Sequence, residues 1–377
     1  MSGLYIHIPF CRKACHYCNF HFSTTLQLKD EMVAALLKEI ELLPLDTQLA
    51  KPILNTVYFG GGTPSLLSAS ALKSILEKVT TRFEVNAGAE ITLEANPDDI
   101  SADQLQAWRK IGINRLSVGI QSFDETELRW MNRAHSAAEA LAVLSLIPEN
   151  GFTNYSIDLI YGSPLLSDEQ WAKNVAIAIE HKVPHISCYA LTVEPGTALK
   201  KMIELKKKQP VVQEKQANHF TALMHWMKVA GYEHYEISNF ALPNQRSQHN
   251  SSYWQGKPYW GIGPSAHSFN GSSRQWNIAQ NAAYINSIKA GKIPFEIEHL
   301  TPTQQINEYI MTAIRTLEGI DLNTIENRFG KKYRLELETH STKYIQSKQL
   351  DKTNHQLILS NEGRLFADGI AADLFFE

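Results

Sequence analysis

Residues 4–18, LYIHIPFCRKACHYC, place a short apolar segment directly before three closely spaced cysteines. Cys11, Cys15 and Cys18 follow the spacing Cys-x-x-x-Cys-x-x-Cys, and the fourth cysteine of the chain, Cys188, lies far along the sequence. Clustered cysteines without a disulfide framework favour a metal site. Because thiolates are the ligands that iron–sulfur clusters require, this stretch predicts a cluster with one iron left without a protein ligand.

A zinc site is the alternative interpretation of the same three cysteines. A closed structural zinc site is tetrahedral and needs a fourth protein ligand. His7, His16 or Cys188 would have to supply that ligand. The spacing favours the cluster, but a zinc-binding structural protein stays open as an alternative. Cys188 itself lies within an apolar segment, so we predict a small buried hydrophobic residue there.

Short apolar segments alternate with amphipathic helical patterns over about the first 190 residues. The predicted strands are Leu4–Ile8, Thr56–Phe59, Glu90–Glu94, Arg115–Val118, Tyr155–Ile160 and His185–Ala190. The predicted helices between them are Leu28–Leu43, Ala69–Val79, Ala102–Ile111, Ala137–Ile147 and Asp168–Glu180. This alternation predicts βα units around a parallel sheet. On the pattern alone, six such units fit an open barrel and a doubly wound sheet equally well.

The second half of the chain has a different pattern. A basic stretch at 200–208 and a predicted helix at 217–230 lead into a loop-rich, aromatic section, 231–277. After Pro294 a new set of elements begins with a predicted helix at 304–317 and ends with one at 367–376. We therefore predict a core of residues 1–230, an aromatic segment at 231–295 that closes it, and a small C-terminal domain at 296–377.

Composition excludes several classes of protein. The chain has 377 residues, 44% of them hydrophobic, and a net charge of −3, so nothing indicates a nucleic acid as partner. No apolar run approaches the roughly 18 residues of a membrane span, and no secretory signal is recognisable. We expect a cytoplasmic protein without an integral membrane segment. Peripheral contact with a membrane stays compatible with the sequence, and the oligomeric state is left open.

Polar and glycine residues follow the predicted strands, where α/β proteins bind ligands. The second strand ends in Gly60-Gly61-Gly62-Thr63-Pro64, and glycine lets a ligand approach bare backbone. Later strand ends carry further candidate site residues: Glu94, Gln121, Asp158 and Ala190, with Arg133 nearby. Carboxylates at such a rim accept hydrogen bonds from ribose hydroxyls, while Gln121 and Arg133 can hold hydroxyl or carboxylate groups.

The cysteine spacing, with Tyr17 directly before the third cysteine, resembles the radical S-adenosylmethionine superfamily. The glycine turn and the strings Glu94-x-Asn-Pro, Gly119-x-Gln-Ser and Asp158-Leu-Ile-Tyr-Gly resemble the oxygen-independent coproporphyrinogen III oxidases within it. That resemblance runs from Gly3 to about Phe269, and the tail from Gln304 is similar to the small C-terminal domain of these oxidases.

The resemblance implies a fold, a cluster and a cofactor. The implied fold is α/β, a partial (β/α)6 barrel of the TIM type with a small C-terminal domain of winged-helix type. Cys11, Cys15 and Cys18 would hold a [4Fe-4S] cluster, and S-adenosylmethionine would bind its open iron. The implied contacts of S-adenosylmethionine are Tyr5, Tyr17 (against the adenine), Gly61, Gly62, Thr63, Glu94, Gln121, Arg133, Asp158 and Ala190.

One departure separates this chain from the oxidases. They carry a further cysteine two residues after the third cluster cysteine, where this chain has Phe20, and a long N-terminal extension before the first strand. The pattern here resembles the related HemW branch, regarded as haem chaperones. His249-Asn-Ser-Ser-Tyr253-Trp254 is similar to the haem-associated motif of that branch. This implies that His249, Tyr253 and Trp254 face or ligate haem, which passes to an acceptor haemoprotein.

The rival function is an enzyme of porphyrin biosynthesis. It would cleave S-adenosylmethionine reductively and decarboxylate propionates of coproporphyrinogen III, an activity that the short N-terminus and the absent cysteine disfavour. The haem ligand, the acceptor and the cleavage of S-adenosylmethionine in turnover stay open at this point. His267, in Gly-Ile-Gly-Pro-Ser-Ala-His267, is predicted either to face the cofactor pocket or to cap the fold.

Overall fold

The structure, a computed structural model, describes residues 2–45 and 51–377. The strands in these residues are β1 (Ser2–Ile8), β2 (Ile53–Gly61), β3 (Glu84–Ala95), β4 (Arg115–Gln121), β5 (Tyr155–Tyr161), β6 (His185–Ala190), β7 (Glu233–Glu236), β8 (Asn239–Ala241), β9 (Tyr259–Ile262), β10 (His267–Phe269), β11 (Ser273–Asn277), β12 (Phe295–His299), β13 (Ile320–Asp321), β14 (Leu350–Lys352) and β15 (Gln356–Leu359).

The α-helices described for the same residues are α1 (Lys29–Leu42), α2 (Ala69–Arg82), α3 (Ala102–Lys110), α4 (Glu125–Trp130), α5 (Ala137–Glu149), α6 (Asp168–Glu180), α7 (Ala198–Glu204), α8 (Gln213–Val229), α9 (Gln248–Trp254), α10 (Asn281–Lys289), α11 (Pro302–Ala313), α12 (Leu322–Phe329), α13 (Lys331–Gln346), α14 (Asn361–Arg364) and α15 (Ala367–Asp373). Capping boxes begin three of these helices: Ser136 with Glu139, Ser167 with Gln170 and Thr301 with Gln304.

Strands β1 to β6 lie side by side in chain order, and all of them are parallel. A doubly wound sheet would reverse its order part of the way along, so the unreversed order identifies a barrel. The barrel stays open because β1 pairs with β9 and β6 pairs with β8. The predicted partial barrel is confirmed, and each of the six predicted strands overlaps an observed one.

The two faces of the barrel strands differ in polarity. On β1, Leu4, Ile6 and Ile8 are fully buried and belong to the main hydrophobic core of the molecule. The alternate residues Tyr5 and His7 face the other way, into the lumen, because side chains alternate along a strand. The same alternation places buried polar side chains inside the barrel on the later strands: Thr56, Glu90, Thr92, Arg115, Ser117, Ser156, His185 and Ser187. The lumen is therefore polar, as a site for charged ligands requires.

The segment 231–277, predicted to be loop-rich, contains short strands instead. The hairpin of β7 and β8 extends one edge of the sheet, and β9 to β11 extend the other edge together with β12. Strands of three to five residues leave too weak an alternation for sequence patterns to detect. Helix α9 of this segment packs against β1 and β2. Closure of the barrel by the whole segment stays a prediction.

The C-terminal region has its own hydrophobic core, which includes Ile306, Ile310 and Leu357. Its elements run helix, strand, two helices and two strands, from α11 to β15, and β13, β15 and β14 form one small sheet. That order is the winged-helix arrangement expected there. Strand β12 still pairs with β11 of the large sheet. The C-terminal region with its own core therefore begins after His299. The domain limits near 230 and 295 stay a proposal.

None of the helices in the described residues combines the length and apolar character needed to span a membrane.

Candidate functional site

The cysteine loop leaves the carboxyl end of β1 and lies over the mouth of the barrel. Cys11, Cys15 and Cys18 are all free thiols and partly buried. The loop is fixed by backbone hydrogen bonds, including Cys11 N–H to the carbonyl of Ser23 at 3.0 Å. Burial, opposed by a hydrogen bond from Thr63, raises the pKa of Cys11 to about 11. The Cys11 thiol therefore needs a nearby cation to become a thiolate, and iron bound there would supply one.

The donors around the loop match a thiolate cluster. Thr63 Oγ1 donates to Sγ of Cys11 at 3.5 Å, and Arg133 donates to Sγ of Cys15 at 3.2 Å. Such donors stabilise negative charge on cluster sulfurs. Within residues 2–45 and 51–377, no three or more histidine, cysteine, aspartate or glutamate side chains form a group that could hold a single metal ion.

The glycine turn at the end of β2 packs directly on the entrance to the cysteine loop. The N–H groups of Gly62 and Thr63 donate to the carbonyls of Ile8 and Phe10, at 2.9 and 2.7 Å. A Cβ at residue 62 would lie 2.6 Å from the carbonyl oxygen of Phe10, so only glycine fits. Gly61 has φ +110°, a conformation that side-chain-bearing residues rarely adopt. The turn thus fixes the distance between the cysteine loop and β2.

Two carboxylates face the lumen from strands that β4 separates: Glu94 at the end of β3 and Asp158 midway along β5. Glu94 accepts hydrogen bonds from the Gly61 N–H at 3.1 Å and from the Tyr58 hydroxyl at 2.7 Å. Burial, together with the charge of Asp158, raises the pKa of Glu94 to about 7. Burial likewise raises the pKa of Asp158 to about 6, while a hydrogen bond from Ser187 opposes the rise. Burial makes the charged form of both side chains unfavourable. Hydrogen-bond donors of a bound ligand would stabilise that charged form.

Arg133 connects three of the predicted elements. Its guanidinium donates to Asn96 Oδ1 at 2.7 Å and to the carbonyl of Gly119 at 2.6 Å, in addition to Cys15. Asn96 in turn donates to Thr63 at 3.3 Å. Nε of Arg133 is buried and has no hydrogen-bond partner among the described residues, so one donor is left for a ligand. Gln121, with φ +70°, ends β4 in a strained conformation beside this group.

The remaining predicted contacts of S-adenosylmethionine lie around the same mouth. Tyr17 packs against a small cluster formed by Met131, Ile160, Leu191 and Leu199, next to the end of β6, where Ala190 lies. Tyr5 lies deeper in the lumen, and its hydroxyl donates to Nδ1 of His7 at 3.1 Å. Nε2 of His7 must carry the proton, because it donates to the carbonyl of His21. The structure thus brings the residues predicted at the cluster and cofactor site to one end of the barrel.

The predicted haem motif lies elsewhere, in α9 under the opposite end of the barrel. Both ring nitrogens of His249 are hydrogen-bonded, to Thr56 at 2.7 Å and to Tyr253 at 2.8 Å. Its ring is 1% exposed and stacks on Tyr58 at 4.8 Å between centroids. Burial, with the charge of Arg115, lowers the pKa of His249 to about 3. Iron ligation by His249 stays a prediction, and it would require the ring to give up one of these bonds.

Trp254, at the end of α9, faces the C-terminal region, with the guanidinium of Arg315 6.0 Å from its ring centroid. Asn96 and Tyr58 belong to the site as well, although they were not among the residues predicted for it. Asn96 lies in the quoted string Glu94-x-Asn-Pro, so the strand-end position was an available signal. No sequence signal was available for Tyr58, because its hydrogen bond to Glu94 depends on the register of β2 against β3.

Comparison with known proteins identifies relatives of the whole chain. The family model described as the Radical SAM superfamily matches residues 5–178, and that of the HemN C-terminal domain matches residues 300–366. The chain is 33% identical to the "Heme chaperone HemW" of Mycobacterium tuberculosis over 377 residues, which is 99% of this chain and 94% of the relative. It is also 33% identical to the Bacillus subtilis protein of the same name, over 88% of this chain and 87% of the relative.

Among solved structures, the chain is similar to the coproporphyrinogen III oxidase HemN from Escherichia coli, described as a radical SAM enzyme. The TM-score is 0.85 and the sequence identity 25%, over 99% of this chain and 90% of the other.

Proposed function

This chain belongs to the HemW family of radical S-adenosylmethionine proteins, and we propose from this membership that it is a cytoplasmic haem chaperone. It would carry a [4Fe-4S] cluster and S-adenosylmethionine, bind haem and hand it to an acceptor haemoprotein. The similarity along the full length to relatives named as haem chaperones is the observation that carries the proposal. The site geometry supports its cofactor part.

Three thiols on one loop suit the cluster. Cys11, Cys15 and Cys18 would be its protein ligands, and an iron without such a ligand would bind S-adenosylmethionine. The hydrogen bonds from Thr63 and Arg133 would lower the negative charge on two of the cluster thiolates. When bound, the cluster supplies a one-electron reductant. The chain supplies the ligands, the donors to sulfur and a buried mouth.

S-adenosylmethionine would lie across the rim formed by the strand ends. Gly61 and Gly62 would expose backbone to its methionyl part, while Glu94 and Asp158 would accept hydrogen bonds from its amino and hydroxyl groups. The unpaired Nε of Arg133 can donate to its carboxylate. Tyr17, against the apolar cluster at β6, would cover the adenine.

The oxidase is the second candidate, because a coproporphyrinogen III oxidase shares the fold with a TM-score of 0.85. The two functions need different parts. Decarboxylation requires the substrate propionate to be held beside the reacting carbon of the cofactor, since positioning supplies much of the rate. In place of the extra cysteine of the oxidases this chain has Phe20, which is 69% exposed. A phenyl ring cannot replace the thiol of that cysteine. An exposed aromatic side chain is instead typical of a surface that binds another molecule.

The test compares both functions in one preparation. Anaerobically reconstituted protein is titrated with haem and, separately, incubated with coproporphyrinogen III, S-adenosylmethionine and a reductant. We expect haem binding at about one per chain and no formation of protoporphyrinogen. Turnover of coproporphyrinogen III well above a control without S-adenosylmethionine would establish the oxidase instead. Stoichiometric zinc without a visible absorption band would support the structural zinc protein.

A further inference from the structure

The lumen face of the barrel continues beyond β1 onto the antiparallel strands. In register, Tyr259 lies beside Gly3, Phe269 beside Tyr259, Arg274 beside Phe269, and Trp276 beside His267. Paired residues share a face of a sheet, as do residues two apart along one strand. We call the five side chains of Tyr259, His267, Phe269, Arg274 and Trp276 the aromatic wall. Because Gly3 lies on the same face as Tyr5 and His7, the wall is continuous with the cofactor lumen.

His267 is the one residue of the aromatic wall whose ring suits metal ligation. It is exposed, it stacks on Trp276 at 6.0 Å between centroids, and no hydrogen bond holds its ring nitrogens among residues 2–45 and 51–377. Partial burial and the nearby guanidinium of Arg274 lower the pKa of His267. The imidazole is therefore neutral at physiological pH, the form that binds iron. His249 differs in each respect, because it is buried and both its nitrogens are engaged.

The other members of the wall match the rest of a haem molecule. Tyr259 and Phe269 lie with their ring centroids 6.3 Å apart, and three adjacent strands span roughly 10 Å, an extent suited to a flat macrocycle. Arg274 lies beside Phe269 in register, so it is close to both Tyr259 and His267. It pairs with Glu308 of α11 and has further donors for a carboxylate.

From this arrangement we propose that the aromatic wall binds haem, with His267 as a ligand of the iron and Arg274 as the partner of a propionate. The inference rests on the proposed function and gives it a site. Imidazole is a common protein ligand of haem iron, and arginine binds carboxylates in a fork geometry. The wall ends at β12 with Glu296 and Glu298 on the same face.

The experiment uses the full-length protein and haem itself as the probe. Wild type, His267→Ala and His181→Ala are titrated with ferric haem and followed by absorption spectroscopy. His181 is an exposed histidine at the end of α6 and serves as the matched control for non-specific surface ligation. We expect His267→Ala to lose the ligand-dependent absorption bands and to bind haem about tenfold or more weakly. His181→Ala should match wild type.

Free imidazole added to His267→Ala should restore the bands, because it can occupy the position of the missing ring. This rescue also separates loss of a ligand from loss of the fold. Arg274→Gln should weaken affinity and leave the bands unchanged, since it removes no iron ligand. If wild type binds haem while His267→Ala has the same spectrum and affinity, the site is wrong and the chaperone function stands. If wild type itself binds no haem, the proposed function fails first.

Discussion

Arg133 donates a hydrogen bond from its guanidinium to Sγ of Cys15 at 3.2 Å. The same guanidinium donates to Asn96 and to the carbonyl of Gly119. One partly buried side chain therefore ties the cysteine loop to the ends of β3 and β4. The positive charge beside a cluster ligand bears on the reduction potential, because potentials depend on net charge and on hydrogen bonds to sulfur.

Arg133→Gln should lower the reduction potential of the reconstituted cluster and leave the iron content unchanged. Loss of a charged hydrogen bond of about 1.4 kcal/mol corresponds to a shift on the order of 60 mV for a one-electron couple. A redox titration followed by electron paramagnetic resonance measures it. Arg129→Gln is the matched control, because Arg129 is 79% exposed and pairs with Glu125 of its own helix. Equal potentials in both variants would remove Arg133 from the cluster environment.

The cluster itself is tested by comparing two cysteines. Cys15→Ala should abolish the cluster, whereas Cys188→Ala should retain about four irons and four sulfides per chain. Cys188 is 1% exposed on the outer face of β6 and belongs to the hydrophobic core, as predicted. Iron and sulfide analysis after anaerobic reconstitution gives the result. Retention of the full cluster in Cys15→Ala would contradict the ligand assignment.

The rim carboxylates should contribute to S-adenosylmethionine binding and not to iron binding. Glu94→Ala and Asp158→Ala each remove an acceptor for charged or hydroxyl donors. A hydrogen bond with a charged group is typically about 1.5–3 kcal/mol, so affinity should fall on the order of ten- to a hundredfold. Calorimetry on the reconstituted variants measures the affinity, and iron analysis is the internal control. Wild-type affinity in both variants would exclude the rim as the binding site.

In the cofactor-free protein, ionisation of Glu94 and Asp158 should lower the free energy of unfolding as the pH rises. The pKa of Glu94 is about 7 in the folded state, against 4.5 as its ordinary value. Between these values the folded state binds more protons than the unfolded state, so the free energy of unfolding falls as the pH rises through this window. Above pH 7 that contribution is fully lost, and Glu94→Gln should then be more stable than wild type.

Thermal unfolding without cofactor measures this effect at pH 5 and pH 8. We expect Glu94→Gln to gain on the order of 2 kcal/mol over wild type on going from pH 5 to pH 8. Its amide keeps an acceptor for the Gly61 N–H and gains a donor towards Tyr58. Glu77→Gln, at a site 65% exposed on α2, should show no such gain. A pH-independent difference for Glu94→Gln would mean that the carboxylate is not raised in pKa.

Local patterns in the sequence predicted the barrel well. Helix α6 begins and ends at the predicted residues, because Ser167 caps it and Trp171 and Val175 recur at helical spacing. Strand β2 extends beyond its prediction, from Ile53 to Gly61. Glycines usually mark the end of a strand, but Gly60 and Gly61 stay in the ladder because they pair with His7 and Ile8 of β1.

The surroundings of His249 could not be predicted in the same way. Its partner Thr56 lies 193 residues away in sequence, and their contact depends on β9 returning to pair with β1. Neither periodicity nor motif spacing reports such a long-range arrangement. The aromatic wall has the same origin, since His267 and Arg274 reach the lumen face only through the register of β10 and β11.

A buried ion pair inside the barrel joins β3 to β4. Glu90 lies 3.7 Å from Nε of Arg115, and both side chains are 1% exposed. The carboxylate also accepts hydrogen bonds from the N–H groups of Gln248 and His249, each at 3.0 Å. It thereby satisfies the free donors at the start of α9, which carries the predicted haem motif.

Glu90→Gln should therefore destabilise the protein and loosen α9. The substitution removes the carboxylate that pairs with the buried charge of Arg115, and such a loss typically costs about 3–5 kcal/mol. It also places an amide NH₂ group, which is a donor, against the N–H donors of Gln248 and His249. Denaturant unfolding measures the loss, and amide exchange should accelerate in α9. Glu84→Gln, at an exposed position on the same strand, is the control and should stay within about 0.5 kcal/mol of wild type.

The double variant Glu90→Gln/Arg115→Met separates the charge from the cap. Removal of both charges ends the penalty for an unpaired guanidinium, so most of the stability should return. Exchange in α9 should stay fast, because a glutamine still caps the helix less well than a carboxylate. Slow exchange in the double variant would show that the ion pair alone, and not the cap, holds α9 against the barrel.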